Sequence, residues 1–199
     1  GDVYSLKVSG SQIYVADNVF THNSIFRTAI AQDYKGDRPT SSYLEPGDVQ
    51  NTFRLFEEYL DLIRVFHHKE AGIEADDLIA DCVIQHQNDV PITILSADHD
   101  LRQLVRQPDP YPVTVIKPSM SSTKPNEYTY TYQSVIDEYK LPPYRLAELW
   151  AIEGDSGDNI FGVPKYGPVK SLKVLQEFGS LSNAIANHPG FAGYEQKIH

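Results

Sequence analysis

The run Pro91-Ile92-Thr93-Ile94-Leu95-Ser96 limits the possible folds more than any other stretch of this chain. It is short, rich in β-branched residues and free of charge. A continuous apolar run of this length reads as a strand buried on both faces, which is the parallel strand of an α/β sheet. Helical periodicity precedes it twice. Residues 47–68 carry an apolar stripe of Phe53, Phe56, Leu60 and Ile63, flanked by Leu55, Tyr59, Leu62 and Phe66. Residues 74–87 form a second helix that buries Leu78, Ile79, Cys82 and Val83. A short helix at 100–105 and a strand at 113–116 follow, and the Tyr/Thr-rich stretch 128–132 is ambiguous. Helices are then expected at 134–139, 144–152, 168–178 and 181–187. Near the start, 3–8 and 13–20 read as two strands around the turn Ser9-Gly10-Ser11, with Asp17-Asn18 as a tight turn inside the second. Strands alternating with helices, then helices alone, imply an α/β sheet with a helical C-terminal part.

Composition narrows the class. A single cysteine, Cys82, excludes a disulfide framework and a cysteine-based zinc site. No stretch approaches the 18 or so consecutive apolar residues of a membrane span, and the N-terminus has no basic segment leading into an apolar one. A soluble, cytoplasmic protein is expected. The formal charge of −10 argues at first against nucleic acid, because phosphate binders are usually basic. Its distribution answers that objection. Residues 71–100 hold seven acids and no Lys or Arg, while 159–176 hold Lys165, Lys170 and Lys173 and no acid.

The acids fall into three motifs at element ends. Gly72-Ile73-Glu74-Ala75-Asp76-Asp77 opens a helix, where one acid suffices to cap and to complement the dipole. Ser96-Ala97-Asp98-His99-Asp100 follows the buried strand, where functional groups of open α/β sheets collect. Gly154-Asp155-Ser156-Gly157-Asp158-Asn159 is a glycine-flanked turn. Carboxylates gathered without cations repel and raise one another's pKa. Mg²⁺ or Mn²⁺ resolves this through hard oxygen ligands, and two such ions about 4 Å apart suit phosphodiester cleavage.

Gly-Ile-Glu-Ala-Asp-Asp, Ile-Leu-Ser-Ala-Asp-His-Asp-Leu-Arg-Gln-Leu-Val and Gly-Asp-Ser-Gly-Asp-Asn-Ile-Phe-Gly-Val-Pro resemble the signatures of the 5′–3′ exonuclease/flap endonuclease family. That family includes phage 5′-nucleases and the N-terminal domain of bacterial DNA polymerase I. The resemblance runs from Ser24 to His199. It implies that Glu74, Asp76, Asp77, Asp98, Asp100, Asp155 and Asp158 are metal-site carboxylates, with Asp77 acting partly through outer contacts or capping.

Ser24-Ile25-Phe26-Arg27 and Asp33-Tyr34-Lys35-Gly36-Asp37-Arg38 are similar to the family's Ser-x-Phe-Arg and Tyr-Lys-x-x-Arg. The resemblance makes Lys35 and Arg38 the catalytic cations beside the scissile phosphate, where positive charge offsets the charge of the transition state. Arg27 and Tyr34 become DNA contacts, and Tyr34 can stack on a base or pack under its loop. The stretch 158–175 resembles the family's helix–three-turn–helix. There Gly162, Val163, Lys165, Gly167 and Lys170 would meet duplex backbone, and Gly167-Pro168 opens a helix whose N-terminus favours an anion. A K⁺ ion at this module is implied by resemblance alone.

The family has two further Asp ligands ahead of Ser24, and neither is recognisable here; Asp17 lies upstream in different surroundings. The segment before Ser24 instead resembles the C-terminal end of an intein. His22-Asn23-Ser24 is the splice-junction pattern: Ser24 supplies the hydroxyl nucleophile, the Asn23 amide attacks its own carbonyl, and His22 donates a proton. The usual upstream His is absent, with Ser11-Gln12-Ile13 there, and the N-terminal splicing blocks are missing.

The expected fold is therefore an α/β, PIN-like or Rossmann-like, mostly parallel sheet lacking its first strands, followed by a helix–three-turn–helix region and preceded by a short intein β segment. The expected divisions are 1–23 as intein fragment, 24–140 as catalytic core and 141–199 as DNA-binding region. The expected activity is Mg²⁺- or Mn²⁺-dependent cleavage of DNA at 5′ ends, flaps or junctions, by a monomer in a bacterial or phage-infected cell, as part of an intein-containing precursor. Two alternatives are a catalytically incomplete DNA-binding remnant and a related metal-dependent ribonuclease. A splicing module alone leaves the carboxylates from Glu74 to Asp158 unexplained.

Overall fold

The strand expected from the apolar run is the middle of the sheet. The computed structural model describes residues 46–68, 70, 72–118 and 128–191, together with 3–8 and 12–17; for 3–8, 12–17 and 46–50 it gives the backbone course. Eight strands, β1 (Val3–Val8), β2 (Gln12–Asp17), β3 (His67–His68), β4 (Ile92–Leu95), β5 (Val113–Lys117), β6 (Tyr128–Tyr130), β7 (Gly154–Asp155) and β8 (Ile160–Phe161), are described. The first six form one sheet in the order β3-β1-β2-β4-β5-β6, and β7 and β8 form a separate hairpin. β4 pairs in parallel with both neighbours, Ile13 opposite Ile92 on one side and Ile92 opposite Val113 on the other. The outer pairs β1–β2, β1–β3 and β5–β6 are antiparallel, so a parallel centre carries antiparallel edges.

Among the described residues six α-helices accompany the strands: α1 (Pro46–Leu62), α2 (Ala75–His86), α3 (Tyr132–Tyr139), α4 (Leu146–Glu153), α5 (Pro168–Phe178) and α6 (Leu181–Asn187). α2 packs on β1, β2 and the 3-10 turn Asp100–Leu104. It buries Ala75, Ile79 and Val83 against Ile92, Ile94, Val113 and Val115 of the sheet, with Leu78 and Cys82 at the margin. A second apolar cluster joins Leu141, Leu149, Ile152, Val163, Leu175 and Phe191 in the helical part, and Tyr139 packs against both clusters.

Several expectations change in detail. The helix expected at 47–68 ends at Leu62. Arg64 takes a left-handed conformation (φ 57°), the Val65 N–H donates to the Leu60 carbonyl at 2.9 Å, and the chain extends so that His67 and His68 pair with β1. Of its apolar stripe only Leu60 is buried, whereas Phe56, Tyr59, Leu62 and Phe66 are exposed. The ambiguous 128–132 stretch is a strand followed by a capped helix. The Thr131 hydroxyl accepts from the Ser134 N–H while the Ser134 hydroxyl receives the Thr131 N–H, and this reciprocal box starts α3 at Tyr132. The helix expected at 144–152 begins as the 3-10 turn Pro143–Arg145 and becomes α4 at Leu146. The start and end of α5 and α6 are as expected.

Arg102 ties the 3-10 turn Asp100–Leu104 to α3 and β6. It is buried, bonds Glu138 at 3.2 Å and the Tyr139 hydroxyl, and lies 4.1 Å above the Tyr130 ring. A buried guanidinium contributes through its partners, and removing it strands them. Arg102→Ala should therefore cost about 2–4 kcal/mol in urea unfolding, whereas Glu138→Gln, at the exposed end of the pair, should cost about 1 kcal/mol or less.

Candidate metal centre and nucleic-acid interface

The C-terminal end of β4 delivers the first carboxylates. Ser96 is buried and its hydroxyl receives the Asp98 N–H at 3.0 Å, so the chain turns sharply after the strand. The Asp100 N–H then donates to Asp98 Oδ1 at 2.9 Å, and Asp100 starts the 3-10 turn. This succession holds Asp98, His99 and Asp100 with their ligand atoms within 4.8 Å of one another. His99 Nε2 lies 3.1 Å from Asp100 Oδ1, and its ring meets Trp150 edge-on at 5.2 Å.

The second pair comes from the β7–β8 hairpin, more than fifty residues later. Gly154 (φ 77°) turns the chain out of α4, and a Cβ there would lie 2.2 Å from the Gly162 nitrogen. Gly162 in turn passes against the Glu153 carbonyl, where a Cβ would lie 2.1 Å from its oxygen. These two glycines let the hairpin arms cross at backbone contact, and the Val163 N–H donates to the Ile152 carbonyl at 2.7 Å. The turn between the arms is pinned by Asp155 Oδ1, which accepts from the Gly157 N–H at 2.7 Å.

Asp98, Asp100, Asp155 and Asp158 meet electrostatically. Burial pushes the Asp100 carboxyl above the usual carboxylate range, His99 draws it down, and Asp98, Asp155 and Asp158 each push it up again. An open cleft of about 700 Å³ is lined by His99, Asp100, Trp150, Asp155, Asp158 and Phe161, among others. Among the described residues no lysine or arginine lines it. A cluster of mutually repelling, hard oxygen donors fits a divalent metal ion.

The α2 carboxylates are placed differently. Glu74 is the N-cap of α2 and is 1% exposed, Asp76 is half-buried in the first turn, and Asp77 is exposed. The structure thus places Asp100, Asp155 and Asp158 on one cleft with Asp98 beside Asp100, and places Glu74, Asp76 and Asp77 at the start of α2. His99 and Trp150 had no role in the sequence reading. The His between the two acids was the available signal, whereas nothing in the sequence linked Trp150 to it.

Residues from the turn before α5 and from α5 itself line a second cleft of about 600 Å³. Lys165, Tyr166, Lys170, Lys173 and His188 border it. Lys165 takes a left-handed conformation (φ 71°) in the turn ahead of α5. Gly167 caps α5 and its carbonyl receives the Lys170 and Ser171 N–H groups, with Pro168 at the first helical position. The three lysines are exposed, and Val163 is buried in the helical core with its N–H bound to Ile152. Val163 is therefore placed to pack rather than to touch a ligand. His22, Asn23, Ser24, Arg27, Tyr34, Lys35 and Arg38 lie outside the described residues. Within the described residues no helix is long and apolar enough to cross a membrane.

A sequence model of the 5′-3′ exonuclease N-terminal, resolvase-like domain matches residues 6–140. DNA polymerase I of Streptococcus pneumoniae R6 is 33% identical over 192 residues, 96% of this chain and 20% of that protein. DNA polymerase I of Bacillus caldotenax is 30% identical over 174 residues, 86% of this chain and 19% of that protein. The chain thus spans about a fifth of the length of the curated relatives it matches. Among solved structures, the T5 D15 protein co-crystallised with metal ions superposes with a TM-score of 0.70 at 23% identity, covering 89% of this chain and 70% of that one. A complex of the bacteriophage T5 D15 flap endonuclease with DNA and metal ions gives 0.65 at 24% identity, over 84% of this chain and 61% of that one. These likenesses confirm the α/β, PIN-like fold, and the match over most of its length shows that the chain belongs to the family of 5′-3′ exonuclease N-terminal, resolvase-like domains.

Proposed function

We propose that the chain carries the nuclease part of a divalent-metal-dependent 5′–3′ exonuclease or 5′-flap endonuclease acting on DNA. The observation that carries this reading is that Asp100, with Asp98 beside it, shares one cleft with Asp155 and Asp158 at the C-terminal end of a parallel strand. Those four, with Glu74, Asp76 and Asp77 from the start of α2, would hold two Mg²⁺ or Mn²⁺ ions. Such ions, when bound, supply water activation and stabilisation of the leaving oxygen. The protein's own residues do the rest. Asp98 and Asp100 are fixed by the Ser96 turn, and Asp155 by its bond to Gly157. Lys35 and Arg38 grip the scissile phosphate, Arg27 and Tyr34 hold the adjoining strand, and Lys165 and Lys170 meet the duplex backbone together with Gly162 and Gly167. A K⁺ ion at the second cleft and a monomeric state complete the proposal. The cell would be bacterial or phage-infected, in keeping with the bacterial relatives.

Residues 1–23 are proposed to be the C-terminal end of an intein, with His22, Asn23 and Ser24 at the junction. A specific observation favours a second reading. The family match begins at residue 6, and β2 runs parallel to β4 with Ala16 opposite Leu95, which sets Asp17 at the same sheet edge as Ser96. In that reading β2 (12–17) is one of the family's own sheet strands. Activity separates the two. On a 5′-flap DNA with Mg²⁺, the intein reading expects the 199-residue chain to be nearly inactive and the spliced product to cleave. Robust cleavage by the 199-residue chain, lost on Asp17→Ala and kept on Asn23→Ala, would favour the second. No cleavage by either form would reject the nuclease reading.

A further inference from the structure

Phe161 is the most exposed large apolar side chain among the described residues, at 93%, and Ile160 beside it is 47% exposed. Both line the acidic cleft. Isolated exposed apolar residues are ordinary on protein surfaces. This pair differs in where it stands and in how firmly it is held. It occupies strand β8, opposite Gly154 and Asp155 of β7, so the arm that carries Asp155 into the cleft is paired with the arm that carries Phe161 to its rim. The Gly154–Gly162 crossing and the Val163-to-Ile152 hydrogen bond fix that arm on the backbone.

Beyond Phe161 the chain enters the turn that leads to Lys165, Lys170 and Lys173. Along the chain Phe161 stands between the carboxylates of the hairpin and Lys165, and it lines the acidic cleft, so a ligand that engages both clefts has Phe161 as a candidate contact. It must be anionic where it meets the lysines, able to bring a phosphate to the carboxylates through metal ions, and apolar and flat where it meets the ring. A nucleic-acid strand has those three properties together, since every base offers a π-face. We propose that Phe161 is a positioning residue that stacks on a nucleobase of the DNA substrate at the mouth of the acidic cleft, fixing which phosphate enters. This rests on the DNA-cleaving reading above.

The test is binding without cleavage. The 199-residue chain is titrated in Ca²⁺ with a short duplex carrying a 5′ single-stranded extension, with the fluorescent base 2-aminopurine at successive positions across the junction. Phe161→Ala should weaken binding about tenfold and abolish a fluorescence quench at one or two positions. Phe161→Trp should restore both. The dependence of affinity on salt should not change, because no phosphate charge is lost, whereas Lys170→Ala should reduce that slope. Unaltered affinity and quench in Phe161→Ala, with binding by the unsubstituted chain intact, would overturn the stacking role alone. Absence of any DNA binding by the unsubstituted chain would overturn the underlying reading instead. A melting temperature lowered by several degrees in Phe161→Ala would contradict the proposal by showing that the ring is covered by protein.

Discussion

Replacing Asp155 by alanine should reduce Mg²⁺-dependent cleavage of 5′-flap DNA by the active form of this protein by about a hundredfold or more. Asp155 is the residue through which the hairpin reaches Asp100, and it is itself held by the Gly157 N–H. Loss of its carboxylate removes a hard donor from the site and one of the charges that raise Asp100. The two effects have opposite consequences for stability. Without metal, the substitution relieves like-charge repulsion, so the melting temperature should stay level or rise. With Mg²⁺ or Mn²⁺, the unsubstituted protein gains stability by mass action, and the variant should gain less. Asp155→Asn sharpens the comparison, because its amide oxygen can still accept from Gly157 while the charge is gone. A variant that loses activity through disrupted folding would instead melt lower under both conditions.

The second large effect concerns the hairpin itself. Gly162→Ala should unfold or severely destabilise the helical part, by about 3–5 kcal/mol in urea. The added Cβ would stand 2.1 Å from the Glu153 oxygen and 2.2 Å from its carbonyl carbon, and 2.5 Å from the Ile152 oxygen. All three are backbone atoms at the end of α4, so no side-chain rotation relieves the contact. Separating the arms would also break the Val163–Ile152 hydrogen bond and draw Val163 out of the core. Gly167 provides the control. A Cβ there meets nothing within 4 Å, and Gly167→Ala should change stability by about 0.5 kcal/mol or less. The glycines that the sequence marked as a phosphate-binding pair thus have unequal duties: Gly162 is needed for the crossing of the chain, Gly167 only for the start of a helix.

The sequence displayed the centre of the sheet and the last two helices because their signals are local. The uncharged run at 92–95 has no amphipathic alternative, and Pro168 and Ser180 mark helix starts. It failed where distant partners decide. The end of α1 depends on pairing between His67–His68 and β1, which no window of the sequence contains. Of the site, the acid motifs were legible as types and spacings, and the meeting of Asp100 with Asp155 and Asp158 emerges from the cleft. The environment of the acids was not legible. Trp150 meets His99 through the packing of α4 beside the 3-10 turn, and Val163, read as a DNA contact, packs with Ile152 and Leu175 instead. The net charge also takes on a definite sense. Several of the excess acids form one cleft suited to divalent cations, and the exposed lysines border another.

The shared carboxylate centre is tested most directly by counting bound Mn²⁺ through the loss of its free electron paramagnetic resonance signal. The expected result is saturable binding by the 199-residue chain, weakened at least about tenfold both by Asp98→Asn, at the strand end, and by Asp155→Asn, at the hairpin. Equal effects from two residues so far apart in sequence would follow from one centre. Binding that is absent, or that either substitution leaves unchanged, would contradict it.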